Sequence, residues 1–322
     1  MKRIANRITV TFICILLLTQ HVSAARLLVP GGQLIGLELA DNSVTVAAFD
    51  EALGISAKNA GLKVGDKITR IDTQTVRCAE DIRQALKRSD GQVDVCILRD
   101  GKAQTLKLSP KITPEGPRLG VYLKQGVTGV GTVTWYDPDS GQFAALGHGV
   151  NTASGELLAM QQGTAYPATV LSVKKGIAGE PGQLLGSLNS TAPIGALSKN
   201  TVQGIFGTTD TGWRGEALPV ASADQIQTGP AVIRSTVKDG QVQEYSVEIL
   251  KLYPSSRSTG RNMLLRITDP VLLQTTGGIV QGMSGSPIIQ DGKLVGAVTH
   301  VLVNDPTTGY GIFIENMLEA AA

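Results

Sequence analysis

Gly282-Met283-Ser284-Gly285-Ser286-Pro287 combines a hydroxyl with the backbone freedom that nucleophilic catalysis needs. A lone serine is a poor nucleophile at neutral pH. It becomes a good one on a tight turn, beside a base, with backbone N–H groups aimed at the developing oxyanion. Glycine supplies the turn and lets a substrate carbonyl approach the backbone closely. Ser284 falls at the apex, and the N–H groups of Gly282 and Ser284 would form the oxyanion hole. Pro287 fixes its own φ and pushes Ser286 towards extended backbone, so Ser286 suits the start of a strand rather than the apex. Pro287-Ile288-Ile289, Asp291-Gly292 and Leu294–Val298 then read as two apolar strands joined by a D-G turn, a rigid base for the loop. Three histidines could supply a base. His21 lies in an apolar leader, which leaves His148, flanked by Gly147 and Gly149, and His300.

Gly-x-Ser-Gly-x-Pro followed by such a hairpin resembles the nucleophile region of chymotrypsin-like serine proteases. The longer run from Thr276 to Ile289, continuing through Gly296–Val301 and Asn304–Gly311, resembles the SpoIVB peptidase family, and the resemblance extends over nearly the whole chain. It implies two β-barrels with a cleft between them and a catalytic order of His, Asp, Ser, with His148 as base and His300 as a wall of the substrate cleft. The orienting acid it implies is Asp269, in Leu265–Pro270, fifteen residues before Ser284. That spacing matches the SpoIVB pattern, whereas ordinary chymotrypsin-like proteases carry the acid much further upstream. Asp137, Asp139 and Asp210 are rivals, the first two in a turn-like Asp137-Pro138-Asp139-Ser140-Gly141. The resemblance further implies a role in sporulation signalling. The protease would be exported to the space between forespore and mother cell, would cleave itself near its N-terminus, and would cleave a membrane-bound regulator, so triggering intramembrane processing of pro-sigma-K.

The elements that must position these residues follow in chain order. Residues 1–25 open with Met1-Lys2-Arg3, run through an apolar core and end in small residues. This is the layout of a secretory signal or membrane anchor. Residues 29–110 read as short strands around one helix. Ala60-Gly61-Leu62-Lys63-Val64-Gly65-Asp66-Lys67-Ile68 resembles the core of a bacterial PDZ domain, and Ile82, Ala85 and Leu86 recur at helical spacing in Glu80–Lys87. A PDZ domain accepts an extended peptide as an added strand. The resemblance puts the loop for the peptide carboxylate at Leu34-Ile35-Gly36-Leu37. Residues 111–117, with two prolines, read as a stiff linker. From 118 to 322 glycine-bounded strands such as Gly131–Tyr136, Ala168–Val173 and Tyr245–Leu250 recur, giving a mainly β protease domain.

Composition excludes several classes. With a net charge of +2 over 322 residues there is no broad basic face for nucleic acid. At 42% hydrophobic and 17% charged the chain can build substantial cores. Cys78 and Cys96 lack C-x-x-C spacing and a nearby histidine, so they read as buried free thiols with no metal between them. No Walker-type phosphate loop, H-E-x-x-H or dinucleotide fingerprint occurs, and no cofactor is expected. The reading is therefore an exported serine endopeptidase whose PDZ domain takes peptide termini and whose substrate is protein. The rival from another class is a PDZ peptide-binding scaffold on a non-catalytic protease fold.

Overall fold

The computed structural model describes residues 26–152, 155–211, 214–238, 240–256 and 259–322. The leader, with Cys14 and His21, lies outside the described residues. Strand dominates, as the glycine-bounded alternation requires. Two long strands organise the first half, Leu34–Phe49 and Val121–Tyr136, each of 16 residues. They pair antiparallel along most of their length, with register shifts between Leu39 and Val44 and between Val46 and Ala48.

The inner halves of this pair belong to a barrel. From Val121–Tyr136 the hydrogen-bonded order runs through Gln142–Ala145, Gly204–Thr208, Gly195–Thr201 and Gln162–Lys174 to Leu34–Phe49, and the pairing of the two long strands closes the ring. Ile35, Leu37, Val133, Phe143, Ala165 and Ile205 fill it. The outer halves belong to the PDZ domain. There Val44 and Thr45 pair with Ile68 and Lys67, and the sheet continues through Val93–Arg99 and Lys102–Leu108. Its core joins Val44 and Val46 to Ile68, Ile82, Leu86 and Val95. Asp66 of the PDZ motif is buried and bonded to the Arg99 guanidinium at 2.6 Å. Burial acts to raise its pKa, but the Arg99 and Lys63 hydrogen bonds outweigh that and hold the carboxyl below its usual range.

The PDZ domain is thus inserted in the connection between two barrel strands, where the sequence suggests a domain from 29 to 110 ahead of the protease. Alternation of Leu34–Leu39 and of Val44–Ala48 reads as two strands of one domain because period-2 patterning does not reveal which core a strand serves. Residues 111–117, expected as a linker, enter a small hairpin of Lys111–Thr113 with Gly116–Arg118.

The second barrel is closed by six strands: Gly229–Thr236, Val242–Leu252, Met263–Ile267, Asp305–Phe313, Lys293–Leu302 and Pro287–Gln290. Ile233, Val247, Leu265, Ile288 and Val298 lie in its core. Leu28, Trp135 and Phe206 meet Leu294, Ala297, Ile312 and Met317 in a further buried cluster that binds the first barrel to the second and to the C-terminal helix Ile314–Ala321. Burying such side chains stabilises the contact by about 1.5–3 kcal/mol each, which fixes the barrels at the cleft.

Candidate active site

His148 and Ser284 come from different barrels and face one cavity. The strand Gln142–Ala145 ends in two consecutive residues of positive φ, Leu146 at 70° and Gly147 at 68°. The turn throws His148 into the cleft. A side chain at 147 would press on Thr299 Cγ2 at 2.9 Å, so glycine there lets the histidine loop reach the second barrel. On the facing side the helix Pro270–Thr276 ends in Gly277 with φ 77°, and the chain then runs through Gly282, φ 100°, to Ser284 and Gly285, φ 95°. A Cβ on Gly285 would collide with the Thr132 carbonyl oxygen. Glycine is therefore what allows the nucleophile loop to lie directly on the first barrel.

The cavity, about 350 Å³, is lined by Ser284, Gly282, Gln281 and His148, with Leu37, Leu39, Val130 and Leu146 as its apolar wall. Among the described residues the N–H groups of Gly282 and Ser284 have no hydrogen-bond acceptor, while their neighbours are engaged: Met283 N–H donates to Val280 O and Gly285 N–H to Val298 O. The arrangement leaves the two donors expected for an oxyanion hole available. The Ser284 hydroxyl donates to Thr299 O at 2.8 Å. Ser286, by contrast, is fully buried, its Oγ without a partner among the described residues.

His148 Nδ1 lies 3.0 Å from Gly149 O. That carbonyl can only accept, which places the proton of a neutral ring on Nδ1 and the lone pair of a base on Nε2. Burial pushes the His148 pKa down, and the Gly149 carbonyl offsets this in part. His300 stands beside it, ring centroids 5.1 Å apart. Burial, then the neighbouring His148 and Arg261, lower the His300 pKa to about 4.

The expected acid has other partners. Asp269 is the N-cap of the helix Pro270–Thr276, accepting from Leu272 N–H at 2.9 Å and from Ser246 N–H at 3.4 Å. Among the described residues no carboxylate is hydrogen-bonded to His148. An Asp-Pro step opening a helix has the sequence pattern of an N-cap as well as that of an acid, and pattern alone does not separate the two. Asp137 is paired with Arg26 at 2.8 Å, and its carboxyl accepts from Asp139 N–H at 3.0 Å. Asp210 lines a separate cavity.

The peptide loop expected at Leu34-Ile35-Gly36-Leu37 needs correction. These residues are a barrel strand paired on both edges, with Gly129–Thr132 on one side and, from Ile35, with Ala165–Pro167 on the other. Leu34, Ile35 and Leu37 are at most 4% exposed, and a Cβ on Gly36 would run into Leu188. Pairing takes up both edges of Ile35–Leu37, which leaves no edge there for an added peptide strand. A groove beside an unpaired strand edge lies instead between the helix Ala79–Arg88 and Val121–Leu123, with Arg118-Leu119-Gly120 also lining it. It is a cavity of about 340 Å³ that Ile82, Leu86 and Arg83 also line. Val121–Leu123 pairs with Leu34–Phe49 along one edge only, so its other edge is open to an added strand. Sequence pattern does not mark Arg118-Leu119-Gly120-Val121, which lies beyond the segment that carries the PDZ core.

Fold and site define a serine peptidase of the two-barrel, chymotrypsin-like class with a PDZ domain. The chain belongs to the SpoIVB peptidase S55 family, whose profile matches residues 115–318, and a PDZ profile matches residues 33–109. Among curated proteins it is similar to a putative zinc metalloprotease, R01501, of Rhizobium meliloti (strain 1021), 30% identical over 122 residues. Those cover 38% of this chain and 30% of that protein, so the chain spans under a third of the curated relative's length. Among the described residues no group of three or more His, Cys, Asp or Glu could hold a metal ion. Among solved structures it is similar to the active form of the Rv3671c protease from M. tuberculosis, with TM-score 0.38 and 15% identity over 60% of this chain and 72% of that one. It is also similar to the HtrA-type protease AlgW with a decapeptide, with TM-score 0.36 and 14% identity over 65% of this chain and 57% of that one.

Proposed function

We propose that the protein is a serine endopeptidase in which Ser284 attacks the scissile carbonyl and His148 Nε2 takes the hydroxyl proton, then returns it to the leaving amine. The Gly282 and Ser284 N–H groups stabilise the oxyanion, and the Gly149 carbonyl fixes the imidazole tautomer. Support for this reading comes from one observation above all: the hydroxyl, the base and two unengaged N–H donors converge on a single cavity from two barrels. In this arrangement Ser284 rests on Thr299 O, and its hydroxyl turns to His148 when substrate enters. The apolar wall favours a substrate with a bulky apolar side chain next to the scissile bond.

The PDZ groove holds an extended peptide with its carboxylate near Arg118 and Gly120. Family membership supports the finer assignment as well: export, self-cleavage near the N-terminus, and cleavage of a membrane-bound sporulation regulator that leads to processing of pro-sigma-K.

A fluorophosphonate probe tests the chemistry directly. The Ser284 oxygen forms a P–O bond, the P–F bond breaks, fluoride leaves and the proton passes to His148. Wild type and Ser286→Ala should label, and Ser284→Ala and His148→Ala should not. Labelling that survives in Ser284→Ala sinks the assignment.

A further inference from the structure

Glycine at 282 creates a problem for the oxyanion hole. Its φ of 100° is open to glycine and unfavourable to other residues, and glycine has the lowest resistance to leaving it. The hole needs the N–H groups on either side of the Gly282–Met283 peptide to point the same way, so something must hold that peptide. Within the loop, Ser286 N–H donates to Met283 O at 3.0 Å. The other two carbonyls, those of Gly282 and Ser284, are held from outside by a single residue of the first barrel.

That residue is Thr132, on the inner half of the long strand Val121–Tyr136. Its Oγ1 donates to Gly282 O at 2.7 Å and its N–H donates to Ser284 O at 2.9 Å. Its own carbonyl accepts from Leu146 N–H at 3.2 Å, two residues before His148. Thr132 is 1% exposed, so all three bonds form away from water, where breaking one leaves an unpaired polar group.

We propose that Thr132 is a positioning residue for catalysis, its hydroxyl holding the Gly282 carbonyl so that the oxyanion-hole N–H groups are preorganised. The two backbone bonds of Thr132 would survive any substitution that keeps the strand. The hydroxyl bond would not. Among the described residues it is the only hydrogen bond from another residue's side chain to the backbone of Gly282, Met283 or Ser284, and it reaches the loop from the barrel that carries the base. One strand therefore sets the hole and, through Leu146, the turn that presents His148. The proposal rests on Ser284 being the nucleophile and on the Gly282 and Ser284 N–H groups forming the hole.

The test uses the full chain and fluorophosphonate labelling kinetics, separating the maximal labelling rate from the probe concentration at half-maximal rate. Thr132→Val removes the hydroxyl at nearly constant volume. Removing an oxyanion-hole donor outright lowers turnover about 10²–10³-fold, so loosening the donors is expected to slow maximal labelling about 10- to 100-fold, with half-saturation within about twofold. Thr132→Ser keeps the hydroxyl and should label within about threefold of wild type. A purely structural role would lower thermal stability in Thr132→Val without changing the maximal rate of the folded fraction. An unchanged rate overturns the proposal, as does a Thr132→Ser variant as slow as Thr132→Val. If valine prevents folding, Thr132→Ala is read against Thr132→Ser in the same way. Ser284→Ala run beside them separates the two ideas: labelling there overturns the nucleophile assignment, whereas its loss together with a fast Thr132→Val overturns only the role of Thr132.

Discussion

The ring of His300 lies 5.1 Å from that of His148, tilted by 38°, and no carboxylate among the described residues is hydrogen-bonded to His148. Two basic rings so close in a half-buried cleft cannot both be charged at low cost, and burial already favours the neutral form of each. His300 is held to a pKa of about 4 and His148 is shifted in the same direction. A base must be neutral to accept a proton. The acid limb of probe labelling against pH should therefore have its midpoint below 6.5, the ordinary histidine value. A carboxylate bonded to His148 would move it the other way, so a midpoint above 6.5 would show that such a partner engages in the working enzyme.

The same two rings affect stability. Both pKa values are lower in the folded protein than in the unfolded chain, so the unfolded chain binds more protons as pH drops below about 6.5. Folding stability should fall from that point down towards the His300 value of about 4. His300→Gln removes one of these groups without adding charge. Denaturant melts at pH 7 and pH 5 should show a smaller difference for His300→Gln than for wild type. An equal difference in both proteins would place the acid sensitivity elsewhere.

Asp269 offers a test of two readings that sequence pattern does not separate. As an N-cap its carboxylate receives Leu272 N–H, a role asparagine performs about as well. As the triad acid it would stabilise the imidazolium, which asparagine cannot do, at a cost of about 10⁴-fold in turnover. From its position in the structure, Asp269→Asn should label at a rate within about tenfold of wild type and Asp269→Ala should lose about 1 kcal/mol of stability. A loss near 10⁴-fold in Asp269→Asn with normal stability would assign it to the acid.

The groove between Ala79–Arg88 and Val121–Leu123 should prefer a peptide with a free C-terminus. Arg118 and Arg83 flank it, and both are cationic at neutral pH. Fluorescence anisotropy with a labelled peptide ending in an apolar residue should show weaker binding when its C-terminus is amidated and when Arg118 is changed to Glu. Equal affinity for acid and amide forms would mean that the groove reads an internal segment.

The residues proposed for the chemistry are marked more plainly in the sequence than the topology is. Ser284 and His148 stood out because glycines flank both, and a glycine next to a reactive side chain is a local signal. The β character followed from alternation and D-G turns. The insertion of the PDZ domain left no such signal: in Leu34–Phe49 the buried phase changes from Leu37 and Leu39 to Val44 and Val46 across the polar Asp41-Asn42-Ser43, a pattern that reads as a turn between two strands although the backbone continues as one. Leu34–Leu37 therefore read as the edge of a peptide groove while serving as an interior barrel strand. Thr132 was invisible for a related reason. In Gly131-Thr132-Val133-Thr134 it is one β-branched residue in a strand, and only the register of the two barrels gives its hydroxyl a partner 150 residues away.

Gly285 and Gly292 allow that contact between barrels to be measured. Both hold positive φ, 95° and 72°, so alanine at either position carries a backbone penalty of about 1–2 kcal/mol. Their surroundings differ. A Cβ at Gly292, in the hairpin turn behind the nucleophile, meets nothing within 4 Å, whereas at Gly285 it would collide with the Thr132 carbonyl and crowd the Leu146 backbone. These are backbone atoms that no rotamer change can move aside. Gly292→Ala should therefore lose only the backbone penalty and label at the wild-type rate. Gly285→Ala should lose clearly more stability and most of its labelling, because relief of the collision pulls Ser284 away from Thr132 and the His148 turn. Thermal melts and labelling rates of the two variants would check this, and equal losses in both would mean that the barrels do not meet as closely at Gly285 as the structure has them.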